Sequence, residues 1–180
     1  MRYLHINGVK VTARFAEEKG LRYRYRLEIT LKNSPLTGKT VCVVMMNPSY
    51  AGVELADKSV QFMEKVVFQK GLPEFAGVEK LVVVNLFAFI QTKAFAGLPH
   101  EIGSKNDAAI KSAMKKSDVI ILGCGTNKRF EERSAFVLGQ LAKMKGKKLF
   151  KTKRHPSRAG YEGFIQPFSF PSHGSKAEAP

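Results

Sequence analysis

The chain has no tryptophan and only two cysteines, Cys42 and Cys124, in its 180 residues. Two cysteines cannot build a disulfide framework, a four-cysteine zinc site or a four-cysteine iron–sulfur cluster. Each lies inside or just after an apolar run, so both are expected to be buried free thiols, which suits a reducing cytoplasm. No apolar run approaches the ~20 residues of a membrane-spanning helix, and no membrane partner is expected. The N-terminus lacks a signal-peptide apolar core. The histidines His5, His100, His155 and His173 show no metal-ligand spacing, so neither a metal nor another cofactor is expected. Acid is the scarce charge: fifteen Asp and Glu face thirty Lys and Arg, a formal charge of +15.

That charge attracts polyanions, and nucleic acid is the usual one. Its distribution sharpens the point. Between positions 143 and 158 stand Lys143, Lys145, Lys147, Lys148, Lys151, Lys153, Arg154 and Arg158, with no acid among them. Arg22, Arg24 and Arg26 form a second basic group. Clustering of this kind predicts a phosphate-facing surface.

The apolar pattern predicts the fold. Residues 41–46 are continuously apolar and rich in β-branched side chains, as in a strand buried on both faces. Pro48 ends that run, because it has no N–H to give a central strand. Residues 81–87 and 119–122 read as further buried strands, and 148–150 as a short last one. Residues 22–31 alternate strictly, with Tyr23, Tyr25, Leu27, Ile29 and Leu31 on one face and Arg22, Arg24, Arg26, Glu28 and Thr30 on a wet one. Asn7-Gly8 predicts a hairpin over residues 2–14.

Helical spacing follows Asp57, a predicted cap, up to Gly71. Ser104 and Asp107 resemble a capping box for a second helix. Residues 129–145 read as a third. Strands alternating with helices predict one α/β domain over residues 1–170, three-layered α/β/α with a mostly parallel sheet and antiparallel N-terminal strands. Residues 171–180 are small and polar, and a disordered tail is expected.

Four segments put polar residues at carboxyl ends of buried strands: Asn47-Pro48-Ser49, Asn85, residues 123–127, and His155-Pro156-Ser157. In open α/β sheets ligands bind at that edge, so these segments should meet in one cleft. An amide such as Asn85 offers one acceptor and two donors, as reading a base edge requires. A histidine of low pKa donates to a developing anion while neutral. Residues 123–127 lack the spacing and the Lys-Ser/Thr pair of a phosphate-hydrolysing loop.

The order of these segments resembles the uracil-DNA glycosylase superfamily, with its Asn-Pro motif after a strand, an Asn in an apolar strand and a late His-Pro-Ser loop. The chain resembles more closely an uncharacterised family of bacterial, archaeal and phage proteins, a domain of unknown function. That family carries Arg-Tyr-x-Leu (residues 24–27 here), Asn-Pro-Ser-x-Ala (47–51), an Asp-x-Thr/Ser (57–59), Val-Asn-Leu-Phe (84–87) and His-Pro (155–156). Met45 and Ser49 stand where the glycosylases carry glycine.

The glycosylase resemblance implies a glycosylase-like fold and a base flipped out of DNA for N-glycosidic hydrolysis. Asn47 would position water and His155 would stabilise the departing base. Asn85 would read that base, with Pro48, Ser49 and Ser157 around it and Phe62 or Phe87 stacked on it. Asp57 is not part of the glycosylase pattern, and it joins the substrate site, in favour of catalysis, if it faces the cleft and is not a cap. Lys151, Lys153, Arg154 and Arg158 would hold the nucleic-acid backbone. The alternatives are a non-catalytic nucleic-acid or nucleotide binder and a hydrolase of free nucleosides or nucleotides.

Overall fold

The computed structural model describes residues 3–35, 37–93, 95–125, 128–158 and 160–170, apart from the side chain of Lys128. The expected tail at 171–180 and two residues of the 123–127 segment, Thr126 and Asn127, lie outside the described residues.

Four strands run parallel at the centre: β4 (Lys39–Met45), β6 (Val78–Asn85), β7 (Val119–Leu122) and β8 (Lys148–Thr152). The valine-, isoleucine- and leucine-rich runs of β4, β6 and β7 are what a sheet covered on both faces requires, whereas β8, Lys-Leu-Phe-Lys-Thr, is only partly buried. β2 (Val9–Glu18) and β3 (Leu21–Leu31) extend one side, and β9 (Ile165–Pro167) the other. The resulting seven-stranded sheet has the order β2-β3-β6-β4-β7-β8-β9. The pairs β6–β4, β4–β7 and β7–β8 are parallel, whereas β2–β3, β3–β6 and β8–β9 are antiparallel. The sheet is therefore mixed and not mostly parallel, and β8 is not the last strand.

Both faces are covered. Helix α1 (Lys58–Phe68) sends Val60, Met63, Val66 and Val67 into a core with Val41, Val43, Leu81 and Val83. The alternate residues Cys42, Val44, Val82 and Val84 face α3 (Asn106–Lys115) and α4 (Glu131–Leu141) through Ile110, Met114, Val137 and Leu141. Each such side chain, fully buried, contributes about 1.5–3 kcal/mol. A short helix, α2 (Pro99–Ile102), sits ahead of α3.

Three local expectations are corrected. The hairpin turns at Lys19-Gly20, both of positive φ, with Glu18 opposite Leu21. Asn7-Gly8 does turn the chain, but the segment before it, β1 (Tyr3–Leu4), pairs with β5 (Leu55–Ala56) in a separate two-stranded sheet. The reason is a tertiary anchor: the buried Glu64 accepts from His5 Nδ1 at 2.5 Å and from the Ile6 N–H at 3.0 Å.

The capping box at Ser104 and Asp107 does not form. Ser104 donates to Glu18, and Asp107 accepts from Arg133, so both side chains are spent on tertiary partners.

The arginine face of β3 is not wet at Arg24, although Arg22 is exposed and Arg26, Glu28 and Thr30 are half-buried. The register slips where Arg14 opposes Arg26 but Phe15 opposes Arg24, leaving Tyr25 as a bulge. The bulge reverses the alternation. Leu27 and Ile29 pack with α1, whereas Tyr23 and Tyr25 pack with Ala88 and Ala109 on the other side. Arg24 is carried inside, 1% exposed.

Candidate functional site

Because β4, β6, β7 and β8 are parallel, their carboxyl ends share one edge of the sheet. The chain leaves β4 through Asn47 and Pro48, leaves β7 through Gly123, and leaves β8 toward His155. Two adjoining cavities open there. One, of about 350 Å³, is lined by Tyr3, Met45, Asn47, Asp57, Gln91 and His155 among others. The second, of about 610 Å³, is lined by Met46, Gly125, Lys153, Arg154 and Arg158. Asn47, His155 and Ser157 line both.

Asp57 does two jobs. Its Oδ1 accepts from the Val60 N–H at 2.8 Å and caps α1, while its Oδ2 accepts from the Ser49 hydroxyl at 2.5 Å. The cap fixes the carboxylate in the smaller cavity, which Ser49 and Asp57 both line. Asn47 is held by its amide nitrogen, which donates to the Gln91 carbonyl at 2.8 Å and more weakly to the Pro48 carbonyl at 3.4 Å. What Asn47 leaves for a ligand is its acceptor, Oδ1.

His155 is set up as a neutral donor. The Ser157 N–H lies 3.2 Å from Nδ1 and can only donate, so Nδ1 is an acceptor and the proton of the neutral ring sits on Nε2. The Ser157 hydroxyl adds a second contact to Nδ1 at 2.9 Å. Burial lowers the His155 pKa, and the Arg158 charge lowers it further against an opposing pull from Asp57. Gly125, at φ +76°, brings the β7 loop to the His155 Cβ.

Asn85 does not line either cavity. It is 1% exposed, and its Oδ1 accepts from Arg24 Nη2 at 3.1 Å. It lies in register beside Met45, which lines the smaller cavity, so it stands one strand away from that cavity. Arg24 also donates to the Ala51 carbonyl at 2.8 Å, which ties the loop after Pro48 to the sheet. Burial pulls the Arg24 pKa down to about 10, with Asp57 pulling the other way.

Phe87 packs against Phe95 and Phe130 in the α3–α4 core, away from the cavities. Phe62 stacks on Tyr161, centroids 4.5 Å apart. Neither ring lines a cavity with Asn47. Pro48 contributes only its main chain, accepting from the Gln91 N–H at 3.1 Å.

The basic run is divided by its own strand. Lys153, Arg154 and Arg158 follow β8 and line the larger cavity. Lys151 lines a separate, more apolar pocket with Val137, Leu138 and Phe168. Lys143, Lys145 and Lys147 precede β8 and Lys148 begins it, so they stand at the strand's other end. Lys147 is spent on the Lys115 and Ser117 carbonyls. Of the other group, Arg24 is buried and Arg26 pairs with Glu28 at 2.5 Å.

Sequence reasoning missed Gln91. Its main chain bonds Asn47 and Pro48, and its Oε1 is buried without a hydrogen-bond partner among the described residues, in a residue that lines the smaller cavity. It stands in an irregular stretch after β6 with no periodicity to mark it. Cys42 is buried, its thiol pushed up to about 12 by burial. Among the described residues no group of three or more His, Cys, Asp or Glu could hold a metal, and no helix is long and apolar enough to cross a membrane.

No curated protein and no solved structure matches the chain. The comparisons therefore give no support to the resemblance to uracil-DNA glycosylases. The sequence profile of one family does match, over residues 24–158, well more than half of the chain. Its span runs from the buried Arg24 to Arg158 at the cavity rim. The chain belongs to that family, described as a protein of unknown function (DUF1643).

Proposed function

We propose that the protein takes one nucleotide of a nucleic acid into the carboxyl-edge cleft and hydrolyses its N-glycosidic bond. The observation that carries this reading is the Asp57–His155 pair: a carboxylate and a neutral imidazole line one cavity of about 350 Å³. Cleaving an N-glycosidic bond puts positive charge on the sugar and negative charge on the leaving base. Asp57 answers the first and the Nε2–H of His155 the second, an electrostatic stabilisation of the transition state. Asn47 Oδ1 accepts from the attacking water. Gln91, which lines the same cavity, would stand beside the base, with the buried Arg24–Asn85 pair tying the loop after Pro48 to the sheet. Lys153, Arg154 and Arg158 hold the phosphates beside the cavity.

A non-catalytic binder is the second reading, and one observation favours it. Both oxygens of Asp57 already accept hydrogen bonds, from Ser49 and from the Val60 N–H. A carboxylate so committed has less to offer a water.

The test is incubation with oligonucleotides carrying uracil, mismatched thymine, hypoxanthine or hydroxymethyluracil, followed by abasic-site cleavage. On a substrate that is cut, His155→Ala should lower the rate by roughly 10²-fold or more, as removal of one oxyanion-hole donor does. Affinity should change little, because the contact strengthens only in the transition state. Binding without cleavage of any base would leave the binder and remove the enzyme.

A further inference from the structure

We infer that the nucleic acid this cleft takes is single-stranded, laid along three adjoining cavities with Tyr161 as a stacking platform. The inference rests on the nucleic-acid reading above and names the substrate class.

The cavities adjoin in a fixed order. The Asp57–His155 cavity joins the larger one through Asn47, His155 and Ser157. The larger one joins a third, of about 370 Å³, through Lys153 and Arg154. The first and third share no residue, so the order is fixed, with the two cations at the second junction. Gly160, Tyr161, Glu162 and Phe164 also line the third cavity, so one carboxylate stands with the two cations there and a phosphate must pass on the side of Lys153 and Arg154.

Tyr161 is 41% exposed, although it stacks on Phe62 with the rings 4.5 Å apart and 11° from parallel. Phe62 is in turn held edge-on by Phe164 at 4.8 Å. The exposed ring is therefore rigidly backed. Lys70 places its ammonium 4.0 Å from the ring centroid, a further cation where a phosphate would pass. A solvent-exposed cation–π contact is weaker than a base–aromatic stack, so an arriving base displaces Lys70 toward that phosphate.

An aromatic ring among phosphate-binding cations is the pattern of single-strand recognition. It gains nothing from a duplex, whose base faces are covered by their neighbours. A single strand also reaches the Asp57–His155 cavity without the cost of unpairing. The chemistry is common to DNA and RNA, and the experiment uses both.

The test is fluorescence anisotropy with labelled strands of about ten bases, DNA and RNA, free and annealed to their complements. The single strand should bind at least ~10-fold tighter than the duplex, a gap that one base–ring stack can supply. Tyr161→Leu keeps an apolar cover on Phe62 but removes the ring. It should weaken single-strand binding by roughly 5- to 150-fold, the worth of one base stack, and leave duplex binding unchanged. Tyr161→Phe should bind as the unsubstituted protein does. A thermal melt of Tyr161→Leu reports any loss of fold separately. Duplex binding equal to or tighter than single-strand binding overturns the inference and leaves the nucleic-acid reading standing. Full affinity in a folded Tyr161→Leu variant does the same. Failure to bind any strand overturns both.

Discussion

Arg24 and Asn85 form a buried pair without a carboxylate: Nη2 donates to Oδ1 at 3.1 Å, and both residues are 1% exposed. Among the described residues the guanidinium has no hydrogen-bonded anion, and Arg24 Nε and Asn85 Nδ2 are both buried without hydrogen-bond partners. A buried charge held this way depends on every acceptor it has.

Asn85→Leu is expected to destabilise the fold by at least ~2 kcal/mol, because it strips an acceptor from a buried cation. Arg24→Met removes the charge with its orphaned donor and should cost about 1–3 kcal/mol, from the Ala51 carbonyl and Asn85 amide it leaves unpaired. The double variant should cost clearly less than the sum, since the residues touch. Urea midpoints at constant slope measure all three. Strict additivity would mean that the pair is not coupled.

Asp57 allows the structural and chemical roles of one side chain to be separated. Asp57→Asn keeps a capping oxygen for the Val60 N–H and should stay close to the parent in stability, whereas Asp57→Ala should lose about 0.5–2 kcal/mol. Both remove the charge from the cavity. If the proposed hydrolysis is right, both should lose turnover alike. An Asp57→Asn variant that turns over at the parent rate would reduce Asp57 to a cap.

The elements that could be read from the sequence were those with local causes. Residues 41–46 are apolar enough to force a buried strand, and β4 is there. Asp57 precedes a helical period, and it caps α1. Parallel strands bring Asn47 and His155 to one edge, and those two residues line the same cavities. What could not be read had distant causes. Asn7-Gly8 carries a hairpin signal, but Glu64, far along the chain, decides where β1 pairs. Strict alternation puts Arg24 in water, and a single bulge at Tyr25 puts it inside. A run of eight basic residues looks continuous in sequence until a strand separates its ends.

That separation makes a salt experiment decisive. Lys153, Arg154 and Arg158 stand at the cleft, and Lys143, Lys145 and Lys148 at the far end of β8. For every phosphate that is no longer neutralised, the slope of log affinity against log salt should fall by roughly 0.9 on duplex DNA and ~0.7 on a single strand. Replacing the first three by Ala should flatten the slope. Replacing the second three should leave it within error, though the net charge changes equally. Equal flattening by both sets would point to diffuse attraction by the whole surface.

His5 links pH to the same cleft. Its Nδ1 faces Glu64 Oε1 at 2.5 Å and its Nε2 faces the Gly52 carbonyl at 2.9 Å. Neither partner can donate when Glu64 is ionised, so satisfying both requires a proton on each nitrogen. Burial alone would lower the His5 pKa, but the hydrogen bonds to Glu64 and Gly52 and the Glu64 charge outweigh it, and the pKa is raised. A histidine with a raised folded-state pKa contributes stability that is fully present below its unfolded value, ~6.5, and is lost as pH rises through the folded value.

The Gly52 carbonyl belongs to the loop between Tyr50 and Asp57, two residues that line the smaller cavity. Raising the pH should therefore release β1 from β5 and loosen that wall. Hydrogen exchange of the amides of residues 3–6 and 52–56 should speed up between pH 6 and pH 9 beyond the intrinsic base-catalysed increase, around the ~6.5 reference and above it. His5→Gln, which cannot take a charge, should abolish the extra pH dependence and match the parent most nearly at high pH. Protection that rises with pH in the parent, or persists in His5→Gln at low pH, would mean that the imidazolium does not hold the strand.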